Sequence, residues 1–243
     1  MPHFTLNTIR RDLDKLISLL RTHDFDNILE IYQLEITAGK LNKNNRDYSI
    51  DDMTLTVNPS GQKAKPEVGK LEIVVNSEYT FKESLSETED IFDSYALNIG
   101  IKGIRNINPQ NEEDVPEEQK FFCWHLDREL NTDGRFCHPL YHFQAGGKHI
   151  YDHVDEKSQV VFISSPRLPH PPMDVILLVH FIIHNFVNTK EIEKKQALFE
   201  DDEYKILIER AEKRILDPYF KALSKGLRHN TYTRHNLFPL YTV

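Results

Sequence analysis

Apolar residues recur at helical spacing from the start of the chain. In 8–22, TIRRDLDKLISLLRT, Ile9, Leu13, Leu16, Ile17 and Leu20 fall on one stripe opposite a charged face, which predicts an amphipathic first helix. Strand-like runs follow at 27–37, 53–57, 70–79 and 95–104. The first of these alternates Ile28, Glu30, Tyr32, Leu34 and Ile36 against Leu29, Ile31, Gln33 and Glu35, so only part of it keeps a two-residue period. Asn-Pro-Ser-Gly at 58–61 predicts a turn between the next two runs. Residues 106–119 are polar and acidic with two prolines, which predicts an exposed loop.

The clearest pattern lies at 121–130 and 140–146, two strand-like runs flanking a segment with the turn dipeptide Asp133-Gly134. A short buried strand is predicted at 160–164. Residues 173–188 are apolar on nearly every face and predict an interior helix, with Pro171 and Pro172 in the first turn and Asp174 at its positive end. A charged amphipathic helix is predicted at 200–225, broken at Asp217-Pro218. These elements predict an α+β fold: one antiparallel sheet packed by the N-terminal helix and the buried helix near 173–188. Residues 1–199 would form the core domain, and 200–243 a helical C-terminal extension and tail of it.

Alternation also sorts the chemistry. In 121–130 one face carries Cys123, His125, Asp127 and Glu129, the other Phe122, Trp124, Leu126 and Leu130. In 140–145, His142 and Gln144 share a face and Tyr141 and Phe143 share the other. Pairing the two runs with their aromatics in the core buries Trp124 and Phe143. It also gathers His125, Asp127, His142 and Gln144 on the opposite face, whatever the register, with His138 or His149 at the rim. Two imidazoles and a carboxylate can hold a divalent metal, or one imidazole can act as a base oriented by Asp127. The same set also reads as a solvated sheet face; under the site reading, removing His142 should abolish activity while costing about 1 kcal/mol or less of stability, as for a polar residue on a sheet face.

Eight of the twelve histidines lie between His125 and His184, which concentrates candidate chemistry in that stretch. Gly146-Gly147-Lys148-His149 can cradle an anion with Lys148, or simply turn the chain. Arg167 and His170 stand among Pro166, Pro169, Pro171 and Pro172, where a rigid backbone suits Arg167 to a bidentate anion contact; an ion pair with Asp174 or Glu129 is the alternative. His180 and His184 have the HxxxH spacing of a metal helix, but Phe181 stands where a zinc protease needs glutamate, so core histidines bonded to backbone are expected. No Gly-x-Ser-x-Gly, Walker loop or CxxC occurs.

The net charge of −8 argues against broad duplex nucleic-acid binding. The longest apolar run is too short for a membrane span, and the N-terminus lacks a signal peptide's apolar core, so a cytoplasmic protein with free thiols is expected.

HPLYHFQAGGKH followed by PRLPHPPMD and an apolar helix resembles a set of uncharacterised prokaryotic proteins of mobile elements and antiviral-defence neighbourhoods; the likeness covers about 121–188. The order of helix, meander, proline-rich segment and helix is also similar to ubiquitin-conjugating folds. No cysteine follows Cys137 here, which disfavours an active conjugating enzyme. Two functions are expected from these readings. One is a hydrolase or nuclease-like effector on a phosphate-containing substrate. In it His125, Asp127 and His142 serve as base or divalent-metal ligands, and Gln144, Lys148, Arg167 and His170 bind ligand. The other is a non-catalytic adaptor with a protein partner in a multi-component system. The enzyme reading expects the His125 face in a cleft beneath the proline segment.

Overall fold

A computed structural model describes residues 4–42, 45–64, 67–85, 89–106, 117–130, 137–146, 167–188, 191–225 and 232–239. The strand expected at 160–164, the turn at Asp133-Gly134 and Lys148 lie outside them.

Among the described residues six strands form one antiparallel sheet in chain order: β1 (Asp47–Val57), β2 (Lys70–Phe81), β3 (Phe92–Asn106), β4 (Glu117–Arg128), β5 (Tyr141–Ala145) and the two-residue β6 (Leu168–Pro169). One face bears Leu55, Ile73, Val75, Leu97, Ile99 and Leu126, all buried. The helices cover that face: α1 (Leu6–Thr22), α2 (Ile31–Lys40), α3 (Val175–Phe186), α4 (Ile192–Glu200), α5 (Asp202–Lys225) and the short α6 (Arg234–Leu237). The molecule is therefore α+β with a single antiparallel sheet, packed by the N-terminal helix and the buried helix α3. Leu207, Ala211, Ile215 and Tyr219 of α5 belong to the same apolar cluster as α1 and the sheet. Among the described residues no helix is long and apolar enough to cross a membrane.

Three expectations are corrected. Residues 31–40 of the first strand-like run form helix α2. Its buried residues, Ile31, Leu34, Thr37 and Ala38, follow a helical period, whereas Tyr32 and Ile36, which the strand reading made regular, are exposed. Asp217-Pro218 does not break α5, which runs through Pro218; neighbouring Tyr219, Ala222 and Ile215 are all buried, so packing on both sides of the proline offsets its lost amide bond. Pro171 and Pro172 precede α3 rather than open it. Asp174 is the N-cap, its Oδ1 accepting from the Leu177 amide at 3.0 Å.

Strand β1 begins before the predicted 53–57. Ile50 and Met53 both face the core although three residues apart, which a two-residue period cannot do; a bulge between them supplies the extra residue, with Asp52 at φ 50°. The Asn76 side chain holds that bulge, accepting from the Asp52 amide and donating to its carboxylate, both at 2.9 Å.

Candidate metal centre

The register of β4 on β5 opposes Trp124 to Ala145, His125 to Gln144, Leu126 to Phe143, Asp127 to His142 and Arg128 to Tyr141. Directly opposed residues share a face, so His125, Gln144, Asp127 and His142 stand together on the side away from the helices. Trp124 and Phe143 stack on the helix side with centroids 5.1 Å apart and planes 10° apart. They are half-buried against the core rather than inside it, because β5 and β6 lie at the sheet's margin.

The ligand atoms of His125, Asp127 and His142 all lie within 4.8 Å of one another. His125 Nε2 is 3.4 Å from Asp127 Oδ2. That matches the edge of a tetrahedron with metal bonds near 2.1 Å, about 3.4 Å. Backbone carbonyls set both tautomers. His125 Nδ1 donates to the Gly146 carbonyl and His142 Nδ1 to the Pro139 carbonyl, each at 3.4 Å. A carbonyl can only accept, so both Nδ1 atoms carry hydrogen, which leaves each Nε2 with a lone pair, that of His125 beside Asp127. This is the support that metal-ligating histidines ordinarily have. With that tautomer His125 Nε2 faces the Asp127 carboxylate as a second acceptor, an arrangement that a proton or a metal ion between them would satisfy. Gly146 takes φ 80°, which glycine adopts freely, and its carbonyl also accepts from Cys123 Sγ at 3.0 Å.

His142 is not a solvated sheet-face residue. It is buried, as is Gln144, with 3% and 4% of their surface exposed. Burial first, then the neighbouring His138, pushes the His142 imidazole down to about 4, with His125 and Arg167 adding to the effect. It is therefore neutral at pH 7 and available as a ligand without losing a proton. The premise that His142 is an exposed sheet-face residue, from which a small stability cost was expected, does not hold.

Stability should follow the same titration. A native imidazole at about 4, against 6.5 when unfolded, leaves the unfolded chain binding more protons between those values. The contribution is full above pH 6.5, declines as pH falls toward 4, and amounts to about 3 kcal/mol. His180, also lowered to about 4 by burial and by His184, adds in the same direction. Urea unfolding at pH 7 and pH 4.5 should show this loss, and His142→Gln should remove part of the slope. A level profile would contradict the burial.

Arg167 precedes Pro169 by two residues, and Pro169 is opposed to His142. Arg167 therefore falls on the cluster's face, consistent with its charge acting on His142. Rather than roofing the cluster, as the cleft expectation had it, 168–169 extend the sheet as an edge strand. The Asp174 carboxylate that was an alternative partner for Arg167 is taken by Arg214 at 2.9 Å. Among the ligand-binding candidates, His170 is not brought to the cluster. It falls on the helix side, its ring 5.3 Å from Phe143 and its Nδ1 donating to the Pro171 carbonyl at 2.6 Å. His180 hydrogen-bonds the Tyr204 hydroxyl at 3.1 Å rather than backbone, and both it and His184 pack on Phe199. Cys123 and Cys137 are free thiols, the first buried and the second exposed. His138, one of the two residues expected at the rim, has its ring 5.0 Å from that of His142, and His149 lies outside the described residues.

No family model matches this chain, and no curated protein or solved structure is significantly similar to it. The reading of the site therefore rests on its own chemistry.

Proposed function

We propose that His125, Asp127 and His142 hold a divalent cation and that the protein is a hydrolase acting on a phosphate-containing substrate, a nucleotide or nucleic acid. The observation that carries this reading is the convergence of one ligand atom each from His125, Asp127 and His142 within 4.8 Å, with His125 Nε2 beside the Asp127 carboxylate. Two imidazoles and one carboxylate leave coordination positions for water and substrate and suit Zn²⁺, Mn²⁺ or Fe²⁺. A cation there would supply an activated water and polarise a phosphoryl oxygen. The chain's own groups do the rest. His142 stays neutral because it is buried, Asp127 offsets the cation's charge, and Arg167 favours an anion on this face over a neutral ester or peptide. The resemblance read from the sequence at 121–188 would make such a hydrolase a defence effector that degrades nucleotides or nucleic acid.

The test is metal binding by calorimetry, with hydrolysis of bis(p-nitrophenyl) phosphate as the activity probe. Micromolar or tighter binding of one ion per chain is expected, with activity lost to chelator and restored by metal. A protein that takes up no divalent ion would make these histidines structural and favour the adaptor reading.

A further inference from the structure

Opposed residues form rows across the sheet. One runs Asn76, Asn98, His125, Gln144; the next runs Glu78, Ala96, Asp127, His142, Pro169. Asn98 thus stands on the same face as the cluster, one strand from His125 and on the side away from Gln144. Its neighbours on that face along β3 are Ala96 and Gly100, so no side chain larger than a methyl group flanks its carboxamide on its own strand.

Asn98 is half-buried, and no described residue hydrogen-bonds its side chain. The next amide in the row differs, since Asn76 is fully engaged by Asp52. A strand interior disfavours asparagine, and no hydrogen bond among the described residues compensates for this one.

We propose that Asn98 is a substrate-positioning residue: its carboxamide N–H donates to an oxygen of a phosphate ligand bound at the His125–Asp127–His142 centre. This rests on the metal-site reading above. Strands lie about 4.8 Å apart. A cation between β4 and β5 is therefore roughly one and a half spacings from β3, too far for Asn98 to ligate it. A ligand oxygen on the near side of that cation lies within reach. Arg167 approaches from the β6 side, so an anion would be held from both flanks, by a neutral amide and a guanidinium. The amide adds direction without adding charge.

The experiment loads wild type, Asn98→Ala and Asn98→Asp with Zn²⁺ and titrates inorganic phosphate by calorimetry, with thermal melts to show that each variant is folded and Asn98→Ser held as a second small replacement. Zn²⁺ affinity should stay within about twofold in Asn98→Ala while phosphate binds about tenfold more weakly, the effect of losing one hydrogen bond to a charged group. Asn98→Asp should weaken phosphate further by repulsion. Wild-type phosphate affinity in Asn98→Ala overturns the assignment, as does an equal loss of Zn²⁺ affinity, which would make Asn98 part of the metal cage. Wild type binding Zn²⁺ but no phosphate also overturns it while leaving the metal site standing. Wild type binding no Zn²⁺ removes the metal reading itself.

Discussion

Arg214→Met is expected to destabilise the protein by about 3–5 kcal/mol, enough to unfold it at moderate temperature. Arg214 is 4% exposed and bridges two carboxylates, Asp12 at 2.8 Å and Asp174 at 2.9 Å. Asp12 lies on α1, Arg214 on α5, and Asp174 caps α3, so one guanidinium joins three helices. Methionine fills much of the volume but leaves Asp174, 1% exposed, as a buried charge without its cation. Asp12 keeps Arg210 at 2.6 Å, so most of the cost should fall on Asp174. Asp174→Asn in the same chain should recover part of the loss, since asparagine can still cap α3 and carries no charge. Chemical denaturation of the single and double variants checks this. A single variant within 1 kcal/mol of wild type would mean the pair is worth no more than a surface contact.

Asp127→Asn should lower metal affinity by at least 100-fold and activity by a similar or larger factor, with unfolding free energy changed by less than about 1 kcal/mol. The two effects separate because Asp127 is the least buried of the three proposed ligands. Its side chain is 39% exposed, against 11% for His125, while His142 is 3% exposed as a residue. Asparagine keeps the shape and one acceptor oxygen but loses the charge that balances a divalent cation. His142→Ala is a poorer test of chemistry, because removing a buried ring also leaves a cavity and the Pro139 carbonyl without its donor. Calorimetric titration with Zn²⁺ and the phosphodiester assay read the first effect, and urea unfolding reads the second. Unchanged metal affinity in Asp127→Asn would remove the carboxylate from the centre.

The acidic profile expected from His142 and His180 and the tenfold phosphate effect of Asn98 bear on the same question from other sides. The first depends on burial alone, the second on what the cluster binds.

Local periodicity was enough for much of this molecule. The stripe of Ile9, Leu13, Leu16 and Ile17 defines α1, and the all-round apolarity of 175–186 marks α3 as interior. The alternation in 121–130 and 140–146 assigns His125, Asp127, His142 and Gln144 to one face without any register, because burying the aromatics leaves them no other side. What alternation cannot supply is what lies above that face or beside it. The depth of His142 depends on the surrounding chain, and the carbonyls of Gly146 and Pro139 that set its tautomer and that of His125 come from turns whose path no side-chain pattern encodes. Asn98 opposes His125 only because β3 and β4 pair in one of several possible registers. Residues 31–40 satisfied both a strand and a helix pattern over a short run, and packing of Ile31 and Leu34 into the core chose the helix. Arg214 and Asp174 are forty residues apart, and only the meeting of α3 and α5 makes them a pair. Period is a property of a segment; burial, tautomer and partnership belong to whatever the rest of the chain brings against it.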